Sequence, residues 1–308
     1  MSQENKQDIE ETSLEEVILD EENAEDTDLD SNKKKKTKKK NKPTKKQKII
    51  TNIILLAAII VFLVSGYMLF TSLWEYKKAA DEYNDIKNEF VIEEPDDESG
   101  DEIKVDLSAL KVINDDVTGW IHFENLPIDY PIVQGRNNDE YLIKSFRGEW
   151  YRTGSIFLDF RNAKDMSDRN NIIYGHNMKD LSMFGRLREY LDENFYKKEG
   201  NEGFYIYDDK GWHYYEIFSV YRCDLVESIG GKPNPDYQAE VYWQFNFKDD
   251  ADFKAFADKV KARSIYDTGV KVKDTDRTVM LSTCTTDDNH RLVLHAVKVA
   301  DKAPTKKG

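Results

Sequence analysis

The chain has 308 residues and a net charge of −14 at neutral pH. The charge is unevenly spread: residues 1–32 hold 13 acidic side chains and one lysine, residues 33–48 hold 11 lysines and no acid, and residues 49–308 carry 33 basic against 46 acidic groups. So acidic a C-terminal part excludes bulk-charge binding of polyanions such as nucleic acid, and no grouping of His, Cys and carboxylates has metal-ligand spacing, so no metal or other cofactor is expected.

In chain order, residues 1–32 are too poor in apolar side chains to offset ordering entropy and read as a disordered tail. The lysine block at 33–48 would suit either nucleic acid or the cytoplasmic flank of a membrane span. The next segment decides between them. Residues 49–74 are 26 residues without a charge, and about 20 apolar residues cross the hydrocarbon core as a helix. Tyr67 and Trp74 are placed for the outer interface. The run is too long and too far from the N-terminus for the apolar core of a cleaved signal peptide, and no A-x-A-like site follows. The expectation is an uncleaved signal anchor contacting the lipid bilayer, with residues 1–48 cytoplasmic and residues 75–308 outside the cell.

Residues 75–94 read as a polar stalk helix. Residues 93–102 contain a proline, a glycine and seven acids and read as a linker, so that stalk and linker occupy 75–105. The folded domain spans 106–301, with a short tail at 302–308. It opens with a helix over 106–117, N-capped by Asp106, burying Leu107, Leu110 and Ile113 or Val112. Strands follow at 120–123, 128–133, 154–160 and 171–174. A helix over 182–193 has Phe184, Leu187, Tyr190 and Leu191 on one side. Strands at 203–207 and 212–223 flank the hairpin signal Asp208-Asp209-Lys210-Gly211. An amphipathic helix over 249–262 places Phe253, Phe256, Ala257 and Val260 at i, i+3, i+4 and i+7. The last strands are 278–284 and 291–299. About eight short strands with few helices predict a mainly β fold, a closed or nearly closed barrel.

Two cysteines outside the cell, Cys223 and Cys284, would suit one disulfide. Cys284 has another use. It ends the apolar run Val279-Met280-Leu281-Ser282-Thr283-Cys284, and Arg291 opens the next run after a polar turn. A hairpin would make the two neighbours. A guanidinium beside a thiol favours the nucleophilic thiolate and can donate to a developing oxyanion. The plainer reading is a small buried cysteine. Of the five histidines, His122 and His213 sit among aromatics as packing residues, His290 adjoins Arg291, and His295 lies in a strand. His176 alone follows an apolar strand and a glycine, a strand-end position that presents side chains. Cys, His and Arg, each at a strand end, form an acyl-transfer constellation: nucleophile, acid/base and oxyanion donor.

Tyr174-Gly175-His176-Asn177-Met178 followed by Ser182-Met183-Phe184 resembles the histidine motif of the sortases, class B in particular. Leu281-Ser282-Thr283-Cys284 with Arg291 resembles their cysteine motif and catalytic arginine. Gly119-Trp120-Ile121, the stretch from Asp129 to Gly135, Gly154-Ser155-Ile156-Phe157-Leu158-Asp159 and the helix before the cysteine strand are similar to class B as well. Three positions depart from the pattern: Met280 stands where a threonine is usual, Leu181 where a glycine is common, and the Cys284–Arg291 interval is short. The resemblance implies a sortase-type barrel of about eight strands with N-terminal helices. It implies a cysteine transpeptidase that cleaves the C-terminal sorting signal of secreted proteins after a threonine and passes the thioacyl group to a cell-wall (peptidoglycan) precursor amine. His176, Cys284 and Arg291 would be catalytic; Ser282, Asn138 and Leu142 would contact the sorting motif. A pilin-polymerising sortase, a plain cysteine peptidase and a non-catalytic surface-binding ectodomain are the alternatives.

Overall fold

The computed structural model describes residues 44–94, 102–225, 228–229, 232–233, 244–284 and 290–304, and of Glu93, Glu94, Glu102, Ser228, Ile229, Pro233 and Cys284 the backbone alone. The acidic tail, most of the lysine block, the centre of the expected linker and the turn before His290 lie outside the described residues. The chain divides into two compact units, one ending at Val61 and one beginning at Phe62.

The first helix, α1, spans Lys45–Phe90. It is the one described helix long and apolar enough to cross a membrane, by length and composition, and its apolar side chains up to Trp74 are exposed. Beyond Trp74 the helix differs from the expected polar stalk. Ala79, Tyr83, Ile86 and Phe90 recur at i, i+4, i+7 and i+11 and are buried in the second unit, the spacing of a helix with one apolar stripe. The segment is polar on average and amphipathic in detail. The expected linker begins and ends in structure: β1 (Val91–Glu94) pairs antiparallel with β2 (Glu102–Val105).

Helix α2 (Leu107–Ile113) is capped as expected, Asp106 accepting from the Ala109 amide at 2.9 Å. Leu107 and Leu110 are buried, whereas Val112 and Ile113 are exposed: residues i and i+3 share the inward face of this short helix.

Eight strands close a barrel: β3 (Val117–His122), β4 (Asp129–Val133), β5 (Ile156–Leu158), β6 (Asn170–Gly175), β7 (Gly203–Asp208), β8 (Gly211–Asp224), β11 (Thr278–Cys284) and β12 (His290–Ala300). Two-residue strands β9 (Ser228–Ile229) and β10 (Lys232–Pro233) pair with each other outside it. Around the barrel the order is β11-β12-β8-β7-β3-β4-β5-β6. Neighbours are antiparallel except β4 with β5 and β6 with β11. Asp208 pairs with Gly211 across the predicted two-residue turn, with Gly211 at φ 105°, a conformation glycine adopts without a Cβ clash.

The expected helix at 182–193 is instead a 3-10 segment, Gly185–Leu191, followed by the single α-turn α3 (Glu193–Tyr196). Phe184, Leu187 and Tyr190, all buried, are three residues apart, and side chains at i and i+3 eclipse in a 3-10 helix. Helix α4 (Asp250–Lys261) forms as predicted, with Asp249 accepting from the Asp252 amide at 2.9 Å and Phe253, Phe256, Ala257 and Val260 buried.

The main core fills the barrel and its junction with α1 and α2. A second core lies on the outer face, where α4 covers Ile172, Tyr221, Met280 and Val293. Strand side chains alternate between faces, so Tyr174 and Ser282 share the outer face with Ile172 and Met280, beyond the part beneath α4. A groove opens there.

Candidate active site

The parallel pairing of β6 with β11 builds the site. Tyr174 lies opposite Ser282 and Gly175 opposite Thr283, so the two strands end at the same rim, about 4.8 Å apart. His176 follows β6, and Cys284 is the last residue of β11. On the other side of β11, Arg291 is the register partner of Cys284. A cavity of about 480 Å³ opens on this rim, lined by His176, Arg291, Ser282, Asn138 and Leu142 and also by Tyr174, Phe157, Phe160 and Arg161. The structure therefore brings five of the six expected site residues around one space and places the backbone of the sixth beside them.

The imidazole of His176 is fixed by backbone. Its Nε2 is 2.7 Å from the Leu142 carbonyl oxygen. A carbonyl can only accept, so Nε2 carries a proton and Nδ1 is the nitrogen left for proton exchange. The acceptor is placed by a turn: Asn137 Oδ1 accepts from the amides of Asp139 and Glu140, both at 2.9 Å, which winds Glu140–Leu142 into one 3-10 turn. Beneath it, the Ser155 amide donates to Tyr141 O at 3.0 Å. A Cβ on Gly154 would lie 2.6 Å from Leu142 O, so glycine there lets the turn seat. Gly175 is required for a similar reason: a Cβ would meet Ile156 at 2.5 Å and the Phe184 ring at 2.6 Å.

The loop after His176 returns on itself. Phe184 N donates to His176 O at 2.9 Å, and Met183 N donates to Tyr130 Oη at 3.3 Å. Leu181 and Met183 have φ of 71° and 51°, the left-handed region that costs a non-glycine residue about 1–2 kcal/mol. Leu181, noted in the sequence as replacing a common glycine, occupies a backbone conformation that favours glycine.

The Ser282 hydroxyl is buried and has no hydrogen-bond partner among the described residues. On a cavity wall, such an orphan group is a ready contact for a ligand. The Asn138 amide is tied to a corner: Nδ2 donates to Asp159 Oδ2 at 3.0 Å and Oδ1 accepts from Phe160 N at 3.0 Å.

That corner was not singled out from sequence. Asp159 is fully buried and accepts from Arg161 through two nitrogens at 2.9 and 2.7 Å, from Asn138, and from Tyr174 Oη at 2.9 Å. Burial alone would raise its pKa, but the hydrogen bonds from Arg161, Asn138 and Tyr174 outweigh it and hold the carboxyl below the usual range. One carboxylate thus fixes three residues of the cavity wall. The available signals were an acid directly after the apolar Ile156–Leu158 strand and the position of Tyr174 two residues before His176.

The other histidines stand apart from the cavity. His122 contacts Tyr205 and Trp212, as packing predicts, and also pairs with Asp129 at 3.2 Å. His213 is held between Asp208 at 2.9 Å and Asp301 at 2.6 Å. His290 pairs with Asp224 at 3.4 Å. His295 is wholly buried against Tyr221 in the second core; desolvation lowers its pKa to about 3 and keeps it neutral. Cys223 is buried, and it is the β8 partner of Arg291. Cys223 and Cys284 thus flank one residue from opposite strands, about 9.6 Å apart, beyond the roughly 7 Å a disulfide can bridge.

Comparison with known proteins agrees with this architecture. Residues 121–299 match the sortase domain family. The chain is 36% identical over 231 residues to sortase B of Listeria monocytogenes, covering 75% of this chain and 87% of that one. Its fold superposes on the crystal structure of Bacillus anthracis sortase B in complex with AAEK1 with a TM-score of 0.61 at 33% identity, covering 74% of this chain and 99% of that one. The Staphylococcus aureus sortase B–substrate complex gives a TM-score of 0.60 at 28% identity, covering 74% and 100%. Closed eight-strand barrel, rim cavity and family match together place the chain in the sortase family of cysteine transpeptidases, on its class B branch.

Proposed function

We propose that this enzyme cleaves the C-terminal sorting signal of secreted proteins after a threonine and joins the released carboxyl end to an amine on a cell-wall precursor, with Cys284, His176 and Arg291 as its catalytic groups. The observation that carries the reading is the parallel β6–β11 register, which ends both strands at one rim across from Arg291. By strand alternation position 284 shares the face of Ser282.

The chemistry runs in two steps. The Cys284 thiolate adds to the threonine carbonyl carbon, and the Arg291 guanidinium donates to the oxyanion. The C–N bond breaks as Nδ1 of the His176 imidazolium gives its proton to the leaving amine. The acceptor amine then attacks the thioester, His176 takes its proton, and the thiolate departs. Ser282, Asn138 and Leu142 line the cavity that the bound motif would occupy, and the existence of a substrate complex of the Staphylococcus aureus relative supports a substrate-binding role for the fold. Residues 49–74 anchor the enzyme in the cell membrane, residues 1–48 lie in the cytoplasm, and a stalk, the catalytic domain at 106–301 and a short tail face outward. That placement confines the enzyme to the surface where both substrates emerge.

The test is mass spectrometry of the full chain with a sorting-peptide library, with and without an added amine. A thioester that forms on the native chain and is lost in Cys284→Ala, and a product carrying the amine, are expected. Normal cleavage by Cys284→Ala would end the reading, and hydrolysis that ignores the amine would make the enzyme a peptidase.

A further inference from the structure

Residues 143–152 form a hairpin beside α1. Ser145 N donates to Glu149 O at 2.8 Å, Tyr151 N donates to Ile143 O at 3.1 Å, and Lys144 and Trp150 are bridge partners. Two glutamates of α1 hold it: Glu82 accepts from the Arg147 amide at 2.9 Å, and Glu75 accepts from the Arg152 amide at 2.5 Å.

The second bond fixes the height of the hairpin. Glu75 is the first residue after the uncharged run that ends at Trp74. Side chains on a helix lean toward its N-terminus and cover the preceding turn. The amide held by Glu75 is therefore level with the last turn of the apolar run. Between this tie and the one at Glu82 the hairpin carries Trp150, two residues before Arg152 and 75% exposed, with Ile143 and Arg152 also exposed. Exposure of one apolar residue means little alone. An indole near the end of a membrane-length helix suits the lipid–water interface, where tryptophan is enriched, and an arginine next to it can bury its stem while its charge reaches the headgroups.

We propose that the hairpin of residues 143–152 is a second membrane contact, with Trp150 seated in the interfacial layer of the outer leaflet. The domain is then held against the bilayer at two points and does not swivel about one helix. The hairpin begins directly after Leu142, whose carbonyl holds His176, so seating it sets the orientation of the cleft relative to the lipid surface. The proposal rests on reading residues 49–74 as a membrane span.

The test uses the full chain labelled with 5-fluorotryptophan in phosphatidylcholine/phosphatidylglycerol nanodiscs, with and without a lipid carrying a nitroxide at its headgroup. Trp74→Phe and Trp150→Phe variants assign those two fluorine signals. Both signals are expected to lose most of their height with the nitroxide lipid, while that of Trp212, buried against Ile103 of β2, keeps its height. A broadened Trp74 with a sharp Trp150 overturns the second contact and leaves the span intact. A sharp Trp74 overturns the span, and with it the height argument, whatever Trp150 does. The readout is independent of turnover, so its failure is separate from failure of the proposed reaction.

Discussion

The Leu142 carbonyl oxygen accepts from His176 Nε2 at 2.7 Å, and this bond sets both the tautomer and the aim of the imidazole. Leu142 owes its position to Gly154, whose φ is 55° and whose missing Cβ leaves room for the carbonyls of Tyr141 and Leu142. Gly154→Ala should push the acceptor away from His176. Misplacement by about 1 Å can cost roughly 100-fold in rate, so kcat should fall by about 10- to 100-fold with a smaller change in KM. Steady-state kinetics with a sorting peptide would check it; an unchanged kcat in a folded variant would separate Leu142 from the chemistry.

Tyr83 ties α1 to the same turn. Its hydroxyl donates to Gly154 O at 2.8 Å and lies 3.0 Å from Ser155 Oγ, while its ring meets Tyr130 edge-on at 5.3 Å. Tyr83→Phe keeps the ring contact and removes the hydroxyl, leaving the buried Gly154 carbonyl without this donor. A loss of about 1–3 kcal/mol is expected, read from denaturant unfolding of the variant against the parent.

Asp159→Asn keeps the shape of the corner and removes the charge that Arg161, Asn138 and Tyr174 share. Hydrogen bonds to charged groups contribute about 1.5–3 kcal/mol each. The variant should be less stable, and its loosened cavity wall should raise KM for the peptide more than it lowers kcat. Because the folded carboxyl has a depressed pKa, its contribution is present above its unfolded pKa of about 3.9 and is lost as pH falls through the folded value. An acid-unfolding curve should lose that component in Asp159→Asn.

His213 gives the opposite slope. The hydrogen bond to Asp208 raises its pKa most, burial opposes, and Asp301 adds to the rise. Its contribution to stability is complete below its unfolded pKa of about 6.5 and disappears as pH rises through the raised folded value. Unfolding midpoints should fall across that window in the parent and stay flatter in His213→Asn.

Leu181→Gly should relieve the left-handed backbone after His176. A non-glycine residue pays about 1–2 kcal/mol there, and glycine returns about 0.5–1 kcal/mol as chain entropy. The variant should be as stable as the parent or slightly more so by calorimetry. A clear drop in Tm would mean that the Leu181 side chain contributes more than its backbone costs.

Much of the fold is legible in the sequence. The cap at Asp106, the apolar stripe of α4 and the turn at Asp208–Gly211 are local patterns, and each formed where its residues predicted. Sequence and structure part where long-range packing overrides average character. The half of α1 beyond Trp74 is mostly polar, yet four residues on one face bury it. The segment from Gly185 to Leu191 has a period of three that passes for a loose α-helix until packing tightens it. The Asp159 corner gave no clear signal, because its partners are scattered over 138–174 and converge only when β5 and β6 lie side by side.

The chain alone determined the uncharged membrane-length run, the number of barrel strands, the helix before the cysteine strand and the chemistry of a thiol, an imidazole and a guanidinium at strand ends, since all of these are properties of local sequence. Tertiary structure decided that β6 and β11 are parallel neighbours. No hairpin turn joins them and no spacing announces the pairing; it is selected by closure of the whole barrel, because only the closed sheet satisfies the edge hydrogen bonds of both strands. That one pairing carries His176 to the rim where Cys284 and Arg291 meet.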